Sequence, residues 1–136
     1  MTPLRLTFVA LLLAAASPAC ADECLAYEPA QVTITGLVTM AQGFGPPGFG
    51  EDPAHDAKET YARLSLDKPV CVNGGKDLSD EDVAAIKDFQ LVSKDGKRFE
   101  RKLIGRRVAV TGTLFHRVSG GNTEVMVMYT AVAKAP

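Results

Sequence analysis

The stretch Arg107-Val108-Ala109-Val110-Thr111-Gly112-Thr113-Leu114-Phe115-His116 alternates along its length. Val108, Val110 and Leu114 share one side, while Ala109, Thr111, Thr113 and Phe115 take the other. A sustained period of two is the signature of a half-buried strand. Residues 123–133 repeat it, with Val125, Val127 and Tyr129 opposing Met126, Met128 and Thr130. Ser119-Gly120-Gly121-Asn122 between the two runs reads as a turn.

Working upstream, Val32-Thr33-Ile34-Thr35-Gly36-Leu37-Val38 is a further strand signature, stopped by the turn-rich residues 42–50. Tyr61-Ala62-Arg63-Leu64-Ser65-Leu66 alternates in the same way and ends at Asp67-Lys68-Pro69, after which Val70-Cys71-Val72 is extended. Ser79 ahead of Asp80-Glu81-Asp82 offers a hydroxyl cap and first-turn acids, predicting a short helix through Val83-Ala84-Ala85-Ile86. Phe89-Gln90-Leu91-Val92 then predicts a short strand and Lys94-Asp95-Gly96-Lys97 a turn. A second short helix is expected over residues 99–104, ended by Gly105. The order of strands and helix is that of the five-stranded OB barrel, so the expected fold is mainly β, OB-like, with one or two short helices.

Arg5, the apolar residues 6–16 and Ala19-Cys20-Ala21 have the build of a cleavable secretory signal. Pro18, Asp22 and Glu23 close the apolar run well short of the roughly 20 residues a membrane span needs, and no later segment comes closer. A lipid-bearing Cys20 would call for a leucine-like residue three positions earlier, where Ser17 stands. The expected division is therefore a leader over residues 1–21 and a single domain over residues 22–136, periplasmic or secreted.

Cutting after Ala21 leaves two of the three cysteines, Cys24 and Cys71, which should pair in an oxidising compartment. Loss of Arg5 with the leader leaves 14 basic against 16 acidic residues, from the full chain's 15 and 16. A net charge near zero argues against a nucleic-acid partner, which calls for a plainly basic domain.

Five segments together resemble a known family. They are Cys24-Leu25-x-Tyr27-Glu28-Pro29, Val32-Thr33-Ile34-Thr35-Gly36, Gly45-Pro46-Pro47-x-Phe49, Leu66-Asp67-Lys68-Pro69-Val70-Cys71-Val72, and the Val108 to His116 strand. The chain resembles the exported bacterial domain of unknown function 4431 over nearly all of its mature length. The resemblance implies a paired-cysteine framework and a small β-rich fold, and brings no activity with it. Many members carry a histidine-rich turn after the Leu-Phe-His strand end; Ser119-Gly120-Gly121-Asn122-Thr123 stands there instead, which removes the ligands of a metal site.

In an OB barrel the first and last interstrand loops gather at one rim, where ligands are usually taken. Phe44 and Phe49 lie in the first of these loops, among Gly and Pro residues. They either offer rings to a ligand or partner, or fold back to plug the barrel mouth. His55 follows in the same loop, and His116 and Arg117 stand at the entrance to the last. Together these five residues are the candidate ligand-binding set, suited to a small anionic or ring-bearing ligand or a protein partner.

Two histidines without a third ligand do not make a zinc site, and no metal or other cofactor is expected. No nucleophile stands beside a base and orienter, and no phosphate-cradling glycine motif follows a strand, so no catalytic residue is assigned. The basic stretch 94–107 has only Phe99 near it in sequence and reads as a solvated face. The expectation is a non-enzymatic binding or interaction module; the alternative is a small hydrolase-like or metal-assisted enzyme using His55 and His116.

Overall fold

The computed structural model describes residues 23–117 and 122–136, so the expected leader over residues 1–21, with Cys20, and most of the expected 119–122 turn lie outside the described residues. The strands are β1 (Leu25–Ala26), β2 (Gln31–Phe44), β3 (Lys58–Asn73), β4 (Val83–Ser93), β5 (Arg107–His116) and β6 (Val125–Lys134). They form one sheet in the order β1-β3-β2-β5-β6-β4, and β3 also pairs with β4, which brings β2 to β6 into a ring of five. β4 and β6 run parallel, and every other pair in the ring is antiparallel. This is the OB strand order expected from the alternating segments.

Two strands are longer than their sequence signals. β2 pairs with β5 through residues 31–37 and with β3 through residues 37–44, so one strand serves both sides of the ring. Gly36 sits at the crossing, where a Cβ would overlap the Ser65 carbonyl oxygen. Its missing side chain is what allows this close approach.

β3 continues through Asp67, Lys68 and Pro69 instead of ending there. The ladder to β4 steps from Ser65 opposite Asp88 to Val70 opposite Ile86, leaving residues 66–69 in a bulge. Pro69, which has no N–H to give, falls where none is required.

The helix expected over residues 79–86 does not form: residues 83–86 open β4. Val83, Ile86 and Phe89 are all buried at intervals of three, an interval that imitates one face of a helix. The spacing arises because the β3–β4 register shifts twice, once between each successive inward residue. Propensity and capping at Ser79 are outweighed by the ladder and by burial of these three side chains. The second expected helix contracts to a 3₁₀ turn, Arg101–Leu103, which buries Leu103 and ends at Gly105 with φ +77°.

The core is lined by Ile34, Val38, Leu64, Phe89, Val108, Val110, Leu114 and Val127, the inward phases of five strands. Tyr27, at 1% exposure, closes one end of the ring, and its hydroxyl donates to the Glu81 carbonyl at 2.7 Å. Burial, followed by the charges of Asp80, Glu124, Asp82 and Glu81, pushes the phenol up to about 12. The Cys24–Cys71 disulfide fixes the segment that carries this tyrosine. β1, immediately after Cys24, runs parallel to Val72 and Asn73, immediately after Cys71.

Candidate functional site

The first and last interstrand loops meet through Asn122. Its side-chain oxygen accepts the N–H of Phe44 at 3.1 Å, and its own N–H donates to Gln90 Oε1 at 2.9 Å. A Cβ on Gly43 would overlap the Asn122 amide, so the glycine makes room for this contact. Thr123 Oγ1 accepts the N–H of Gln90 at 2.8 Å and donates to the Val125 carbonyl at 2.7 Å. Both loop ends are thereby anchored to β4 at the outer face of the ring.

Beside this anchor lies an open hollow of about 350 Å³. Tyr61 and Arg63 reach it from the outward phase of β3, Lys87 and Asp88 from β4, and Asn122 and Glu124 from the last loop. The lining carries two cations and two carboxylates, so its charge balances. Asp88 is held by a hydrogen bond from Ser65 Oγ. Arg63 Nε is buried and has no acceptor among the described residues, an arrangement that leaves a donor's desolvation uncompensated until an oxygen is supplied.

The chain matches no family model, no curated protein and no solved structure. Its site is accordingly built from its own chemistry.

The first-loop candidates are placed on a separate clasp. Asp56, 7% exposed, accepts the N–H of Gly48 at 2.6 Å on one oxygen, and those of Gly50 and Asp52 at 2.8 and 3.1 Å on the other. Burial opposes its charge, but the three backbone donors outweigh burial and hold the carboxyl below its usual range. The clasp shapes the loop so that Phe44 packs toward Gly50, half-buried, while Phe49 adopts φ +52° and stays 45% exposed. Phe49 therefore does not plug the ring; Tyr27 does, at the end where β1 joins. His55 Nδ1 is 2.7 Å from Asp52 Oδ2, on the exposed side of the same loop.

His116 belongs to a different group. Its Nδ1–H donates to the Arg117 carbonyl at 2.9 Å, which accepts only and so fixes the tautomer. Nε2 is buried without a hydrogen bond among the described residues, 3.9 Å from Glu124 Oε1. The N–H of His116 donates to Asp80 Oδ1 at 3.3 Å, and that of Arg117 to the Glu124 carbonyl at 3.0 Å. His55 and His116 thus sit in two hydrogen-bonded sets with no shared member. Among the described residues, no group of three or more His, Cys, Asp or Glu is placed to hold a metal.

The residues that build the hollow were not candidates from sequence. Tyr61 and Arg63 were legible as the outward phase of a strand, but only the fold sets them beside Asn122, about 60 residues further along.

Proposed function

We propose that the protein is an exported, non-enzymatic binding module whose outer β3–β4 face takes a neutral, hydroxyl-bearing ring. Export and the resemblance to the domain of unknown function 4431 are readings of the sequence alone. The disulfide and the absence, among the described residues, of any helix long and apolar enough to cross a membrane are compatible with that compartment. One observation carries the binding reading: a buried Arg63 Nε with no partner among the described residues, beside a loop anchor that is already hydrogen-bonded into place. Tyr61 supplies a flat amphipathic surface, and the balanced donors and acceptors suit hydroxyl groups better than a net charge. Binding is favoured over catalysis because the two histidines do not share a site.

The test is an NMR titration of the oxidised protein with cellotetraose and with tetra-N-acetylchitotetraose. Amide shifts should concentrate at Arg63, Lys87, Asp88 and Asn122. Arg63→Met, with an unchanged melting temperature, should weaken binding about tenfold, the weight of one hydrogen bond from a charged donor. No shift with either sugar at about 10 mM, a range in which even weak sites are occupied, would remove the reading.

A further inference from the structure

A second cavity lies on the other side of Tyr61. It measures about 960 Å³ and opens between the end of the five-strand ring and the segment that follows β4. Met40 explains why it exists. Ile34, Gly36, Val38 and Met40 occupy successive inward positions on β2, and the first three are buried, yet Met40 is 44% exposed. The core face of β2 runs past the point where the ring covers it. Leu91 of β4 completes the apolar floor, and Phe99 and Tyr129 form a wall, edge to face with centroids 5.7 Å apart.

The mouth differs in chemistry from the floor. Arg98 and Arg101 border it, both exposed, and neither side chain has an ion pair or hydrogen bond among the described residues. Lys97 is also at the mouth but is held by Asp95 at 2.7 Å. Glu59 is the one acid in the lining. Arg98 and Arg101 stand in the basic stretch that the sequence presents as a solvated face; the fold sets Tyr129 and Met40 opposite them.

We infer that this cleft binds a small amphipathic anion, with a flat apolar body on Met40, Leu91, Phe99 and Tyr129 and a carboxylate or sulfonate between Arg98 and Arg101. The volume falls in the range of small-molecule sites, which pair an apolar lining with a few convergent polar groups. Two guanidinium groups without partners among the described residues, at the rim of a mixed hollow whose floor is apolar, select for negative charge on a ligand with an apolar body. The inference does not depend on the outer-face site, since Arg63 and Asn122 take no part in it.

Two dyes that share a ring system and differ by one sulfonate test it: 8-anilinonaphthalene-1-sulfonate and neutral N-phenyl-1-naphthylamine, each titrated by fluorescence into the folded, oxidised protein. The sulfonate should bind at least about tenfold more tightly, as two charge-assisted contacts imply. The Arg98→Gln, Arg101→Gln double variant should erase that preference while leaving the neutral dye unaffected, and Met40→Asp should weaken both. Lys102→Gln with Arg106→Gln removes the same charge from the same stretch but not from the cleft, and should change nothing. Equal affinity for the two dyes, or an equal loss in the Lys102/Arg106 variant, would overturn the inference, as would amide shifts that map to Arg63 and Asn122 instead of Leu91 and Tyr129.

Discussion

Removing the disulfide by Cys24→Ala with Cys71→Ala should destabilise the domain by about 4 kcal/mol at 25 °C. The figure follows from the sequence separation of 47 residues, because a cross-link closing a loop of that length removes about 14 cal/mol/K of entropy from the unfolded chain. For a domain of this size, that loss lowers the melting temperature by about 15 °C. The structure adds a local consequence. Tyr27, three residues past Cys24, is fully buried, and after the bond is removed its segment is held by core packing, the two-residue β1 ladder, the backbone contacts to Asn73 and Leu114 and the hydroxyl contact to Glu81.

Urea unfolding followed by circular dichroism gives both readouts. The stability in water should fall by the stated amount, and the urea dependence should steepen, because an uncross-linked denatured chain exposes more surface. A loss below about 1 kcal/mol with an unchanged slope would refute a loop-entropy origin for the bond's contribution. Fluorescence should also show Tyr27 becoming accessible before the ring unfolds, and a single coincident transition would count against the staple's local role.

Gly112→Ala should destabilise by about 2–3 kcal/mol, the range for forcing atoms into a filled space, since its Cβ would overlap the Met128 carbonyl oxygen at the β5–β6 bulge; a chemical denaturation curve identical to the parent's would contradict the close approach. Asp56 is held below its ordinary value when folded, so its stabilising effect is complete above the unfolded carboxyl range, about pH 4, and is lost as pH falls through the folded value. Asp56→Asn should therefore flatten the acid limb of the stability profile and speed proteolytic cutting within residues 45–57; parallel acid limbs in parent and variant would rule out the clasp.

Much of the fold was legible because its signals are local. Strands β5 and β6 announce themselves by alternation, and the Cys24–Cys71 bond is the one pair left if the expected leader takes Cys20 with it. The failures share a cause. The period of two that marks a strand holds only while the ladder is regular, and β4 carries two register shifts that space Val83, Ile86 and Phe89 like a helix face. Pro69 similarly reads as a strand end unless the bulge around it is known.

The candidate sites divide in the same way. Phe49 and His55 were legible as loop residues, but their clasp depends on Asp56 being buried, which composition does not show. By itself, the sequence determined strand order, disulfide partners and the outward phase that carries Tyr61 and Arg63, because each depends on neighbouring residues or on a count. Only the tertiary structure decided where β2 outruns its cover at Met40, which rings face Arg98 and Arg101, and that Asn122 reaches Gln90. Those contacts join residues distant in the chain, and ring closure, not any local preference, sets the registers that bring them together.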